Sequence, residues 1–274
     1  MPPSCASLVP KGNGMASMEY DDAAAERLEA VYRGRDVIAQ RADTLRRLAL
    51  APGEHVIDIG SGPGFLTADL ARAVGPEGRA FGADLSAQMV ARAKARSDHP
   101  ALEYVQADAT SLPVPDDSFD VAVSVQVAEY VPDIPGFCAE FRRVLKPGGR
   151  GLIVATDWDA MIWHSDDPER MQRVLRAFAP HCADSRLPRT LGPRLLAAGL
   201  EIESITLYAI VNATPYEGSY SAGIIPFIQA YVADRGTIPG DELAAWVEEQ
   251  RDLAEAGRYF FSTGRFNFAV RKPG

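Results

Sequence analysis

A chain of 274 residues, 47% hydrophobic and 24% charged, has the balance of a folded globular protein and the length for one large domain or a domain with an elaborated cap. Its formal charge of −9, with no basic run beyond the solvated helix end at Arg142, Arg143 and Lys146, argues against a nucleic-acid partner. No apolar stretch reaches the roughly 18 residues of a membrane span and the N-terminus lacks a signal-peptide layout, so no membrane partner and a cytoplasmic location are expected.

Residues 1–18 are rich in Pro, Ser and Gly and read as a disordered tail. Two helices follow, from Asp21 to about Arg33 and from Asp36 to Leu50, where Pro52-Gly53 stops the second. The stretch Glu54 to Phe65, EHVIDIGSGPGF, then organises the chain. Val56, Ile57 and Ile59 form a strand around one carboxylate, Asp58. Gly60, Gly62 and Gly64 break it, and Phe65, Leu66, Leu70, Ala73 and Val74 continue at helical spacing. A turn without Cβ atoms lets backbone N–H groups approach a ligand, and the helix behind it aims its N-terminus there. The dinucleotide pattern G-x-G-x-x-G is missing, because Phe65 follows Gly64.

The segment Asp58-Ile59-Gly60-Ser61-Gly62-Pro63-Gly64 resembles the first motif of the class I S-adenosylmethionine-dependent methyltransferases, of the small-molecule, type 11-like kind. The resemblance covers roughly residues 20–156 well and the remainder weakly, and it implies S-adenosylmethionine as cofactor. The implied fold is α/β: a Rossmann-like, mostly parallel seven-stranded sheet with helices on both faces, an antiparallel last strand and a helical cap or insertion. Asp58, Gly60, Ser61, Gly62 and Gly64 are the implied cofactor loop.

Strand Arg79–Asp84 ends in an acid 20 residues beyond Gly64. In a βαβ unit this places Asp84, with Leu85 beside it, within reach of ribose hydroxyls. The alternative is a helix N-cap ahead of Ala87–Arg96, a task Ser86 can also perform. Leu102–Ala107 is the third strand and runs into Asp108 and Ala109. The resemblance gives Asp108 an adenine amine to accept from, whereas the residue type alone fits a turn aspartate. Phe119–Val125 is a strand buried on both faces, and Gln126 at its end stands, by resemblance, beside the methionyl part of the cofactor. Tyr130 occupies a position where many relatives have His.

Phe137, Phe141, Val144 and Leu145 form a helical core stripe, and Lys146-Pro147-Gly148-Gly149 is a turn before the fifth strand, Gly151–Thr156. The second half exceeds a minimal domain. Asp157, Trp158, Trp163 and His164 follow the fifth strand, and a helix with Met171, Val174, Leu175 and Phe178 comes next. Arg189–Gly199 is a crossover helix, Leu200–Val211 a strand, 217–256 a helical insertion with Tyr220 and Phe227, and Tyr259–Arg271 a final antiparallel strand. Residues 19–274 read as one methyltransferase domain with acceptor-binding insertions at about 157–185 and 217–256.

Methyl transfer needs a base only when the nucleophile's proton must leave. His164 is the first candidate and Asp157, directly at a strand end, the second; a satisfied insertion histidine is the competing account of His164. Trp158, Trp163, Tyr220 and Phe227 suggest a lid over a small, partly hydrophobic acceptor, or are the core of the insertion. Three separated cysteines, Cys5, Cys138 and Cys182, without CxxC or Cys/His spacing, suggest neither a metal site nor thiolates converging on arsenite. The expected function is methyl transfer to a small acceptor in specialised metabolism. A nicotinamide-dependent oxidoreductase and a non-catalytic binding module are the competing readings.

Overall fold

The computed structural model describes residues 22–215 and 217–274; the tail expected at 1–18 lies outside the described residues. The chain divides into two compact units. Of the described residues, one takes in those up to Ala39 and those of Asp157–Ser185 and Ala209–Gly264; the other takes in Gln40–Thr156, Arg186–Tyr208 and Arg265–Gly274.

The second unit is built on strands β1 (His55–Ile59), β2 (Arg79–Asp84), β3 (Leu102–Gln106), β4 (Phe119–Val125) and β5 (Leu145–Thr156). They are all parallel, in the order β3-β2-β1-β4-β5. Strand β8 (Phe261–Arg271) joins β5 antiparallel, from Arg150↔Arg271 to Thr156↔Arg265, and β7 (Glu201–Asn212) pairs with β8. This is the Rossmann-like, mostly parallel architecture that the motif order implied.

Alternate residues of the strands bury against opposite layers. Val56, Val121, Val123, Leu152 and Val154 pack with Leu48 and with Leu70, Ala71 and Val74. Those partners come from α2 (Arg35–Leu48) and α3 (Phe65–Val74). Ile57, Ile59, Phe81 and Ile153 face Phe137 and Phe141 of α5 (Ile134–Val144) and Leu191 and Leu195 of α7 (Pro188–Ala197). A strand covered on both faces is largely apolar, which is how β1 and β4 read apart from polar residues such as Asp58, Asp120 and Ser124. Helix α4 (Ala87–Arg96) covers β3 through Val90, Ala93 and Tyr104.

Two local readings are corrected. Leu145 starts β5 rather than ending the helix: it pairs with Phe119, and pairing resumes only at Val121↔Arg150. Lys146 to Gly149 therefore forms a bulge inside a longer strand, with Gly148 at φ +76°. Glycine tolerates that conformation, and Pro147 has no N–H to lose at a gap in the ladder. An eighth strand, β6 (Ile162–Trp163), pairs with Ser262 and Phe261 at the start of β8. At two residues it is too short to leave an alternating pattern.

The first unit is mostly helical: α1 (Asp22–Tyr32), α6 (Pro168–Phe178), α8 (Tyr220–Arg235) and α9 (Gly240–Glu255). Its core has two aromatic groups. Trp163 packs edge-on against Trp246 and Phe261, and Phe178 is ringed by Trp158, His181, Phe227 and Tyr231. Glu249 of α9 pins the loop before α6, accepting from Ser165 Oγ, the Asp166 and Asp167 amides and Arg170. Asp36 accepts from Asn212 Nδ2 and from the Tyr220 amide, fixing the start of α8.

Candidate active site

Strand order reverses at β1. The chain moves outward through β2 and β3, then returns to β4 on the other flank of β1. Open α/β sheets bind ligands at such a switch point, beyond the carboxyl ends of the strands. The loops leaving β1 and β4 flank it.

The β1 loop has Gly60, Gly62 and Gly64 at φ +79°, +51° and +81°, a conformation that penalises any residue with a Cβ. The amides of Gly60 and Ser61 both donate to Ala83 O, at 2.7 and 3.0 Å, which ties the loop to β2. Ser61 Oγ is buried without a hydrogen-bond partner. Gly64 starts α3 with no side-chain cap. The open first turn and the orphaned hydroxyl form a polar cradle, and both fit a small ligand with hydroxyl and carboxylate groups.

Asp84 serves this loop. Its Oδ2 accepts from the Gly62 amide at 2.7 Å and its Oδ1 from the Ser86 amide at 2.9 Å. Ser86 caps α4 by accepting from the Met89 amide, so the acid is not spent on that cap. Burial raises the Asp84 pKa against the opposing pull of those two amides. Asp58 lies beneath the loop and accepts from Thr67 Oγ1 at 2.7 Å. Burial, with Asp84 nearby, pushes its pKa up to about 7 against the Thr67 bond. Asp108 is exposed after β3 and accepts from the Thr110 amide and hydroxyl, while Leu85 is exposed and gives its carbonyl to Gln106 Nε2. Ala109 is half-buried against the core.

On the other flank, Gln126 leaves β4 at φ +56°, a strained backbone for a non-glycine residue. Its amide donates to Val154 O and its Nε2 to Thr156 Oγ1 at 3.3 Å. Val127 follows and packs on Gly60. Glu129, in the short 3-10 turn Ala128–Tyr130, is wholly buried. Its Oε1 accepts from the Thr156 amide at 3.1 Å, whereas Oε2 has no hydrogen-bond partner. Arg265, also wholly buried, donates to Thr156 Oγ1 and to Gln40 Oε1. Burial raises the Glu129 pKa to about 7 although hydrogen bonds and the Arg265 charge pull it down.

Residues 57–153 match the family model of a methyltransferase domain. The chain is 37% identical over 167 residues to a 37.1 kDa protein of transposon TN4556 from Streptomyces fradiae, covering 59% of this chain and 47% of that one. It is 34% identical over 143 residues to a demethylmenaquinone methyltransferase of Lactococcus lactis, covering 51% and 55%. The solved phosphoethanolamine N-methyltransferase 2 of Haemonchus contortus, in complex with S-adenosylmethionine, superposes with a TM-score of 0.60 at 20% identity, covering 97% and 62%. Over residues 57–153 the chain thus carries a methyltransferase domain. It spans about half the length of the curated relatives it matches.

The match to a methyltransferase domain supports S-adenosylmethionine as the cofactor. The cradle of Gly60–Gly64, the orphaned Ser61 hydroxyl and the Asp84 carboxylate suit a nucleoside with an amino-acid tail. Sequence reasoning missed Glu129, Thr156 and Arg265. The sole signal available was a lone acid within reach of a strand end, in a segment that reads as a loop.

The other predicted residues sit in the first unit. His164 is 44% exposed, with Nε2 3.9 Å from Asp166 Oδ1. Asp157 is buried and caps the 3-10 turn after β5, accepting from the Asp159 amide at 3.2 Å. Trp158, Trp163 and Tyr220 are buried, and Phe227 packs edge-on against Phe178. The structure thus puts Trp158 with Phe227 in one aromatic group, and Trp163 with Tyr220 against Phe261 in the other. Among the described residues, no three His, Cys, Asp or Glu side chains are placed to hold a metal ion, and no helix is long and apolar enough to cross a membrane.

Proposed function

We propose that the protein transfers the methyl group of S-adenosylmethionine to a small, partly hydrophobic acceptor at an oxygen, nitrogen or carbon nucleophile. The observation that carries this reading is the joined pair of loops at the switch point: Asp84 holding Gly62 on one side, Val127 against Gly60 on the other. When bound, the cofactor supplies a methyl group on a sulfonium, already activated toward displacement by its positive charge.

The chain's residues bind and orient. The Gly60–Gly64 loop with Ser61 takes the methionyl and ribose groups, and Asp84 and Leu85 take the ribose edge. Asp108 and Ala109 flank the adenine, and Gln126, fixed by Thr156, faces the methionyl end. Asp58 supports the loop from beneath through Thr67. Acceptor recognition belongs to residues 157–185 and 217–256, with Trp158, Trp163, Tyr220 and Phe227 shaping an apolar wall. His164 or Asp157 holds the acceptor's proton when the nucleophile must lose one. A relative named for demethylmenaquinone supports a partly hydrophobic small-molecule acceptor.

The test is a thermal-shift panel with S-adenosylmethionine, S-adenosylhomocysteine, NAD and NADP, followed by labelled methyl transfer to a panel of naphthoquinols, phenols and amines. Stabilisation by the first two ligands alone, with label on one acceptor class, is expected. Stabilisation by NAD or NADP instead would overturn the reading.

A further inference from the structure

In the aromatic group around Phe178 that ring stacks on His181 and meets Trp158, Phe227 and Tyr231, and these contacts name no further ligand. The exposed apolar residues Ile205, Leu207 and Val211 of β7 have nothing on them that names an occupant.

The buried carboxylates of the β1 and β4 exits differ in what they bind. Asp58 accepts from Thr67, and Asp84 is shared by two amides. Glu129 uses one oxygen on the Thr156 amide and leaves the other unbonded, at zero exposure. An unpaired carboxylate oxygen away from water is costly, and such an atom in a native protein points to a missing partner. The position of Glu129 suggests that partner. Val127, two residues earlier, touches Gly60 of the cofactor loop, and Gln126 just before it is held in a strained conformation. Asp84 and Asp108 lie on the β2 and β3 flank, which the proposed function gives to the nucleoside. Glu129 lies on the β4 flank, given to the methionyl end. With the donor bound, the ammonium and carboxylate of that end would cancel and the sulfonium would be left as the unbalanced positive charge.

We propose that Glu129 is the counter-charge of the donor's sulfonium: its carboxyl group loses a proton to solvent when the cationic donor binds and regains one when the neutral thioether product takes the donor's place. No covalent bond to the protein is made. One O–H bond at Glu129 breaks on donor binding, the electron pair stays on the carboxylate, and the reverse occurs with product. The inference rests on the methyltransferase reading.

The surroundings allow both states. Burial holds the Glu129 carboxyl near pH 7 in the free protein, so a nearby cation has a protonated fraction to displace. Arg265 is the charged side chain bearing on it; Gln40, Thr156 and Gln126 complete the network as neutral groups. Burial raises Asp58 and Asp84 at the loop as well, but in the proposed function they serve the loop and the ribose, which donor and product share. Their contributions cancel in a ratio of the two affinities.

The experiment is calorimetry of the full chain with S-adenosylmethionine and with S-adenosylhomocysteine, from about pH 6 to about pH 8, in two buffers of different ionisation enthalpy. For wild type, the preference for the donor should grow up to about tenfold over that range, with about half a proton released near pH 7 for the donor and less for the product. Glu129→Gln keeps an acceptor for the Thr156 amide and should show a flat ratio. A flat ratio in wild type, or a pH dependence that persists in Glu129→Gln, would overturn the proposal while leaving the cofactor reading intact. Failure of both ligands to bind wild type would overturn the two together. The wild-type ratio decides even where the variant does not fold.

Discussion

A Cβ placed on Gly60 would stand 2.1 Å from Cγ2 of Val127, closer than any real contact between carbon atoms. The loop leaving β1 and the chain leaving β4 are therefore in van der Waals contact through an absent side chain. This contact joins the glycine motif to the segment that carries Gln126 and Glu129. It also explains why the first glycine cannot be exchanged even where its φ of +79° could be strained.

Gly60→Ala should consequently damage both fold and site. The left-handed backbone costs an L side chain roughly 1–2 kcal/mol. Displacing Val127 adds about 1–3 kcal/mol as an overpacking term. The expected result is a lower melting temperature and S-adenosylmethionine affinity reduced by about tenfold or more. Adding Val127→Ala should recover part of both losses, because it removes the two methyl groups nearest the new Cβ. A double variant no better than the single one would show that strain alone is responsible.

Asp84→Ala removes the acceptor for the Gly62 and Ser86 amides together with the expected ribose partner. Losing a charge-assisted hydrogen bond to ligand costs about 1–3 kcal/mol. Calorimetry should show that loss for donor and product alike, since both carry the ribose. Hydrogen exchange at Gly62 should accelerate in the free protein, because its amide has lost its partner. Unchanged affinity in a folded variant would remove Asp84 from the site.

Much of this arrangement could be read from the chain. Strand β2 and helix α4 have the bounds their residues announce, because Asp84, Leu85 and Ser86 punctuate the change of period and Ser86 makes the cap. The glycine loop is legible because three glycines at alternate positions have few structural uses other than positive φ. Glu129 and Arg265 were not legible. Their shared partner Thr156 is distant in sequence from both, and the parallel pairing of β4 with β5 and the antiparallel return of β8 bring them to it. Gln126 hides its positive φ for a similar reason: tertiary contacts impose that conformation on a residue type that does not announce it. The aromatic residues of 158–163 are core neighbours of Phe178 and Phe261, a destination that spacing alone does not assign.

Glu129 also predicts a pH dependence of stability. Its folded pKa of about 7 lies above its ordinary 4.5, so the folded state keeps a proton that the unfolded chain gives up. The stabilising contribution is complete below the unfolded value and lost as pH rises through the folded one, at most about 1.4 kcal/mol per pH unit for one group. Glu129→Gln is uncharged throughout. Its melting temperature relative to wild type should rise by a few degrees from about pH 5 to about pH 7. Asp58 and Asp84 shift in the same direction, but they are common to both proteins and drop out of the difference. A difference that is constant with pH would show that Glu129 ionises normally.

His181 should show the opposite sign. Its ring stacks on Phe178 at 3.8 Å between centroids and 9° between planes, and its Nδ1 lies 2.9 Å from Phe178 O. Burial lowers its pKa from 6.5 to about 4, against that backbone bond and with the help of Arg235. The folded protein therefore keeps the ring neutral where the unfolded chain takes up a proton. Stability is lost as pH falls from the unfolded value toward the folded one. A phenyl ring fits the same stack, so His181→Phe sacrifices one hydrogen bond, about 0.5–1.5 kcal/mol, and removes the titration. The variant should be slightly less stable than wild type at about pH 8 and should gain on it steadily toward about pH 5, as read by thermal melts in matched buffers. The same substitution should leave S-adenosylmethionine affinity unchanged, because the ring belongs to the aromatic core of the first unit rather than to the cofactor loops. A stability difference that does not move with pH would mean that the ring is already protonated, or already exposed, in the folded protein.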